Sequence, residues 1–376
     1  MYIKQAQLEN LRKSLEPNKV VVLYGPRQCG KTTLLKKFLE NFKEKYLLVQ
    51  GEDSETQKFL GSQSVEKIKR FVGDTKLLII DEAQKIDNIG LNLKLAVDQI
   101  KGLKIIATGS SSFDLAKNLG EPLVGRKTTL RLFPLSQMEI SQTENLAQTS
   151  ANLEERLIHG SYPKVILNRD IRKNRDYLRE IVNSYLYRDI IELEGLKQTR
   201  NINDILKLIA FQIGKEVSMN ELGNQLDISK NTAERYLYLL EESFVLFRLP
   251  PFSRNLRKEI SKSHRYYFFD NGVRNAVINN FNPLDSRDDI GMLWEGYIIN
   301  ERLKKQEYKK IHSNNYFWRT YNQKEVDWVE EREGKLFGYE MKWKAKKTKP
   351  PEDWKATYKN AEYEIINSEN YLGFIT

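Results

Sequence analysis

The sequence predicts an α/β protein of several units: a parallel sheet first, then a helical lid or connector, a helix-turn-helix, and a second α/β domain. Three observations predict it. Up to about residue 135, short β-branched or Leu-rich runs alternate with helical stretches, the pattern of a parallel sheet buried on both faces. After Pro134, apolar residues recur at helical spacing, as in Ile202, Ile205, Leu206, Leu208 and Ile209. From about His264 the chain turns rich in aromatic and strand-like runs around one long helix. The expected divisions are 1–145, 146–200, 201–262 and 263–376.

Composition bounds the rest. The chain has 376 residues, room for two or three domains at ~150 residues each. Lys and Arg number 61 against 51 Asp and Glu, a net charge of +10 that leans towards a polyanionic partner such as DNA or RNA. One cysteine, Cys29, and three scattered histidines, His159, His264 and His312, exclude a disulfide framework and a Cys- or His-rich metal site. The N-terminus lacks an apolar core segment, and no apolar run nears the ~18 residues of a membrane span, so the expectation is a soluble cytoplasmic protein without membrane contact.

The first unit is expected to hold strands at 19–24, 45–50, 76–80, 104–107 and 128–132. Between the first strand and a helix at 33–42 lies Gly25-Pro26-Arg27-Gln28-Cys29-Gly30-Lys31-Thr32, followed by Thr33. Strand, glycine loop and helix in that order form a phosphate-binding loop. Gly25 and Gly30 let successive backbone N–H groups face an anion, and the helix start adds partial positive charge. Lys31 would reach the β- and γ-phosphates and the Thr32 hydroxyl would be a magnesium ligand.

The third strand delivers Asp81 and Glu82 at its C-terminal edge, where ligands sit in open α/β sheets. Asp81 would hold magnesium, directly or through water, and Glu82 would orient and deprotonate an attacking water. The fourth strand ends in Thr108-Gly109-Ser110-Ser111-Ser112, which puts Ser110 and Thr108 forward as γ-phosphate sensors, with Ser112 open to the alternative of a helix cap before 113–119. Arg126 precedes the fifth strand; it is either a cationic finger, a role worth ~10³ to 10⁵ in rate, or a surface arginine.

These residues, with Ala83-Gln84, Gly125-Arg126 and Leu132-Phe133-Pro134-Leu135-Ser136, resemble prokaryotic P-loop ATPases of the AAA+ superfamily in which a C-terminal domain of uncharacterised function follows the ATPase core. Gly160-Ser161-Tyr162-Pro163 and Tyr187-Arg188-Asp189-Ile190 extend the likeness along the chain. The resemblance implies binding of ATP with Mg2+ and its hydrolysis. If Arg126 acts in trans, the chain forms a homo-oligomer.

In the middle, Ser218-Met219-Asn220-Glu221 reads as a capping box opening a short helix, and a second helix around 232–242 buries Ala233, Tyr236, Leu237, Leu240 and Phe244. With a strand at 245–249 this looks like a winged helix-turn-helix. In a DNA-binding role Lys230, Asn231 and Arg235 would be the contacts, while Glu234, Glu241 and Glu242 would repel phosphate.

Near the C-terminus, 325–329 and 335–343 read as a hairpin turning at Glu333-Gly334. The segment resembles the PD-(D/E)XK fold of restriction endonucleases, with Glu295 in the preceding helix matching the helical acid. The resemblance implies that Asp327 and Glu340 gather magnesium and Lys342 helps activate water, though a domain of this kind can also keep the fold for binding alone. Lys342, Lys344, Lys346, Lys347 and Lys349 make a basic run beside Trp343 and Trp354, open to phosphate tracking or to a plain solvated loop.

Overall fold

The computed structural model describes residues 2–110, 123–186, 199–253, 263–320, 322–344 and 350–376. Ser111, Ser112, the helix expected at 113–119, the segment 187–190 and Lys346, Lys347 and Lys349 lie outside them. The chain divides into two compact units, Tyr2–Pro134 with Glu242–Phe244, and Leu135–Glu241 with Val245–Thr376.

The first unit holds all five expected strands: β1 (Val20–Tyr24), β2 (Tyr46–Gln50), β3 (Leu77–Asp81), β4 (Lys104–Gly109) and β5 (Lys127–Arg131). They form one sheet in the order β2-β3-β4-β1-β5, every pairing parallel. Every residue of β1 and β3 is buried, as their unbroken runs of Val, Leu and Ile require. One face packs on the helices Gln7–Ser14 and Lys31–Leu39 through Leu8, Leu11, Leu34, Leu35 and Phe38. Because the strands are parallel, the ends of β1, β3 and β4 open at the same sheet edge, and β4 lies between the other two.

In the second unit the helix Thr199–Phe211 buries Ile202, Ile205, Leu206 and Ile209. It leads to β6 (Glu216–Val217), the helices Met219–Leu226 and Lys230–Glu242, β7 (Leu246–Leu249) and β8 (His264–Phe268). Ser218 caps the first of these helices by accepting from the Glu221 N–H. The strand β8 pairs antiparallel with both β6 and β7, in the order β6-β8-β7. Residues 264–268, expected to open the C-terminal domain, therefore complete the small sheet behind the helix-turn-helix. The strand at 245–249 is amphipathic and needs a partner, and His264–Phe268 is the aromatic strand that supplies it.

The helix Ile290–Lys309 then leads into β9 (Asn314–Arg319), β10 (Glu325–Arg332), β11 (Lys335–Met341) and β12 (Glu362–Ile366), ordered β12-β11-β10-β9. Arg332 faces Lys335 across the expected turn, whose residues Glu333 and Gly334 have φ of 52° and 74°. Two positive φ values make the type I′ turn that matches strand twist. Gly338 lies against Trp354, where an added Cβ would meet the indole at 3.1 Å. The long helix buries Leu293, Trp294, Tyr297 and Ile298, and with them the polar Asn300, Glu301, Arg302 and Lys304. Arg302 makes two bonds to the buried Glu330, at 2.6 and 2.8 Å.

Candidate functional site

The phosphate loop starts where β1 ends. Tyr24 O accepts from Leu132 N at 2.7 Å, and a Cβ on Gly25 would sit 2.1 Å from Leu132 O, so only glycine fits. Gly30, with φ of 102°, turns the loop into the helix Lys31–Leu39. Pro26 and Cys29 are buried, Arg27 is half-buried, and Gln28, Thr32 and Thr33 are exposed. The Cys29 side chain packs in the apolar cluster under the sheet, leaving only its backbone for a ligand. The Lys31 ammonium is buried inside the loop and donates to Gly25 O at 2.7 Å and Pro26 O at 3.1 Å. Carbonyl oxygens hold the cation where an incoming anion would replace them.

One contributor was not legible in the sequence. Gln5, 3% exposed, donates from Nε2 to Cys29 O at 3.2 Å and fills the space a Cβ on Gly30 would enter. A glutamine in a polar N-terminal segment carries no motif to flag it.

At the same sheet edge, Asp81 Oδ2 accepts from Thr32 Oγ1 at 3.2 Å, and Asp81 Oδ1 accepts from Thr108 Oγ1. Glu82 holds a left-handed backbone, φ 52° and ψ 47°, unusual for a side-chain-bearing residue. Its N–H donates to Thr108 Oγ1 at 3.3 Å. Its carboxylate oxygen Oε2 accepts from Gln84 Nε2 at 2.6 Å and from Ser110 Oγ at 3.3 Å. The structure thus brings Lys31, Thr32, Asp81, Glu82, Thr108 and Ser110 to one edge, adding the Gln84 side chain. A threonine hydroxyl beside a carboxylate is a hard-oxygen pair of the sort magnesium takes, so these residues fit that ion.

Arg126 is not with them. It precedes β5 at the opposite edge of the sheet, half-buried, with Nε bonded to Asp98 Oδ1 at 2.6 Å. A residue just before a parallel strand lies a strand's length from the loop that follows its neighbour, so Arg126 does not serve its own chain's phosphate site.

In the second unit, Lys230, Asn231 and Arg235 are exposed at the start of the helix Lys230–Glu242. Lys230 pairs with Glu234 at 3.5 Å, which offsets part of the positive charge on that face.

Glu295, Asp327, Glu340 and Lys342 form one cluster around a residue the sequence reading missed, Arg265 of β8. Arg265 Nη1 lies 3.6 Å from Asp327 Oδ1 and 3.9 Å from Glu295 Oε1, and Nη2 lies 2.5 Å from Glu325 Oε2. Tyr267 OH donates to Glu295 Oε1 at 2.6 Å, Met341 N to Asp327 Oδ2 at 2.9 Å, and Lys342 Nζ pairs with Glu340 Oε1 at 2.6 Å. Burial, reinforced by the Asp327 charge, pushes the Glu295 carboxyl up to about 8 and that of Glu340 up to about 7. Burial also raises Asp327. Burial opposes the Arg265 charge, but Tyr267 and the surrounding carboxylates outweigh it and raise its pKa. Among the described residues, no three Asp, Glu, His or Cys side chains converge in a set able to hold a metal ion. The magnesium expected here does not fit: of the two carboxylates that would gather it, Asp327 already faces the Arg265 guanidinium and Glu340 is already paired with Lys342. The available signal was an arginine in an otherwise aromatic strand, two residues from Tyr267 and so on its face.

Fold and site together define a phosphate-loop nucleotide-binding protein. Residues 17–141 match the model of an AAA domain, and 150–284 and 290–370 match two domains of unknown function, DUF8612 and DUF4143. Uncharacterised proteins are similar over most of their length. One from Mycobacterium tuberculosis is 26% identical over 335 residues, 88% of this chain and 72% of that one. Another, from Methanocaldococcus jannaschii, is 26% identical over 325 residues, 80% of this chain and 73% of that one. Among solved structures, a Walker-type ATPase of Pyrococcus abyssi shares the fold with TM-score 0.52 at 16% identity, covering 74% of this chain and 96% of its own. The first unit is an AAA domain, and the class implies nucleotide binding. No described helix is long and apolar enough to cross a membrane.

Proposed function

We propose that the chain binds ATP with Mg2+ at the loop 25–32 and hydrolyses it. The observation that carries this reading is the convergence of Lys31, Thr32, Asp81 and Glu82 at one sheet edge. Backbone N–H groups of the loop and the start of the helix Lys31–Leu39 cradle the phosphates, with Lys31 on the β- and γ-phosphates. Thr32 and Asp81 hold the magnesium ion, which neutralises phosphate charge when bound. Glu82 takes a proton from the attacking water, and the hydrogen bonds from Gln84 and Ser110 fix where its carboxylate stands. Ser110 senses the γ-phosphate through the same bonds. Arg126 acts in trans, on the nucleotide of a second copy, which makes the working form a homo-oligomer.

Phosphate release from wild type, Lys31→Ala and Glu82→Gln tests the reading. Turnover lost in both variants supports it, and unchanged rates in both refute it.

The helix–strand–helix–helix–strand–strand order of 199–268 supports a winged-helix module, and nucleotide state would govern its use. Exposed Lys230, Asn231 and Arg235 support a DNA contact there. Duplex binding that weakens with salt and is lost on Lys230→Ala with Arg235→Ala supports that contact, and no binding at low salt removes it.

A further inference from the structure

We propose that the resident cation of the carboxylate cluster in the second unit is the guanidinium of Arg265, so that the cluster excludes divalent metal and does not cleave phosphodiesters. This inference is independent of the ATPase reading.

Four features of the geometry carry it. First, Arg265 is buried and its planar head lies over the Phe317 ring, 4.5 Å from the centroid, with the carboxylates of Glu295, Asp327 and Glu325 around its nitrogens. Aromatic face plus carboxylate edge is the environment a guanidinium fits and a hydrated divalent ion does not. Second, the acids are already committed to donors of the chain: Glu295 to Tyr267, Asp327 to Met341 N and Glu340 to Lys342. Third, two fixed positive groups, Arg265 and Lys342, stand where a doubly charged ion would have to approach. Fourth, Arg265 and its acids come from different sheets: Arg265 lies on β8 of the three-stranded sheet, Asp327 and Glu325 on β10 of the four-stranded one. The ion pairs therefore latch the helix-turn-helix module to the C-terminal sheet. Phe252 N donates to Phe317 O at 2.6 Å, and Phe317 N to Pro250 O at 3.0 Å, fixing the same junction through the backbone.

The test is Mn2+ binding to the full-length chain without nucleotide, read by calorimetry and by the electron paramagnetic resonance of bound Mn2+. Wild type and Asp327→Asn are expected to behave alike, because the cluster takes no ion in either. Arg265→Gln is expected to gain one Mn2+ per chain, and Arg265→Gln with Asp327→Asn to lose it again. Mn2+ bound by wild type and lost in Asp327→Asn overturns the proposal. So does a folded Arg265→Gln that gains no ion, since the guanidinium would then not be what excludes metal. If Arg265→Gln does not fold, the comparison of wild type with Asp327→Asn decides alone, and plasmid nicking by wild type with Mn2+ that Asp327→Asn abolishes counts as the overturning result.

Discussion

The hydroxyl of Thr32 donates to Asp81 Oδ2 at 3.2 Å, joining the start of the helix after the phosphate loop to the end of the strand β3. The other oxygen of the same carboxylate accepts from Thr108, on the strand between. Three elements distant in sequence thus agree on where one carboxylate points. Thr32→Val keeps the shape and removes the hydroxyl. It is expected to abolish most of the gain in nucleotide affinity that magnesium provides, while affinity without magnesium changes little. Titration of ATP with and without Mg2+ measures both.

Gly25 tests the backbone geometry. With Leu132 O 2.1 Å from where its Cβ would stand, Gly25→Ala forces the loop to move, at a cost of ~1–3 kcal/mol by the usual penalty for overpacking. Gly373, with nothing within 4 Å of its Cβ position, is the control, and Gly373→Ala is expected to leave stability within ~0.5 kcal/mol. Thermal unfolding and nucleotide titration on the two variants should separate: Gly25→Ala loses nucleotide binding, Gly373→Ala does not.

Arg302 and Glu330 are both buried and bonded through two N–H donors, at 2.6 and 2.8 Å. Glu330 also accepts from Trp328 Nε1 and Gln306 Nε2, and Arg332 Nε lies 3.1 Å from its Oε2, so a second cation stands beside it. Arg302→Met removes both of its bonds and leaves Arg332 as the cation beside that carboxylate, and is expected to destabilise the second unit by ~1–3 kcal/mol. Replacing both partners with apolar residues should cost less than the single change. Denaturant unfolding of the two variants checks the order.

His159 is buried, its ring stacked on Phe281 with centroids 5.6 Å apart, and among the described residues its Nε2 has no hydrogen-bond partner. Burial, helped by the Arg175 charge, lowers its pKa to about 4 from an ordinary 6.5. Below 6.5 the unfolded chain binds a proton that the folded one refuses, so this contribution to stability is full above 6.5 and is lost as pH falls towards 4. Asp270, raised to about 6 by burial, acts with the opposite sign: the folded state keeps its proton better, so its contribution grows as pH falls from about 6 to 3.8. His159→Phe removes only the first effect. Its melting temperature should therefore fall less than that of wild type between pH 6.5 and 4, and a parallel fall in both proteins would contradict the assignment.

The first sheet was legible because each strand is a continuous β-branched or leucine run between a glycine turn and a helix, and because one loop carries its chemistry in consecutive residues. The hairpin at Glu333-Gly334 was legible for the same local reason. Pairings set by the tertiary fold were not. Nothing local says that His264–Phe268 pairs with β7 instead of with the C-terminal sheet, and Arg265 means nothing until Glu295 and Asp327 are brought to it from residues 30 and 62 positions onward. Ser110 meets Glu82 for the same reason. The position of Arg126 is different: parallel topology already puts a residue that precedes β5 at the edge away from the loop after β1. That consequence was available from the strand order once the sheet was known.

A triphosphate held by the loop 25–32 is the central requirement, and calorimetric titration of the chain with ATP in Mg2+ tests it most directly. Wild type is expected to bind saturably, Lys31→Ala to lose most of that binding, and Glu82→Gln to retain it with turnover reduced by ~10² to 10⁴. Folded wild type that takes up no ATP at any Mg2+ concentration, or Lys31→Ala that binds as wild type does, would contradict it.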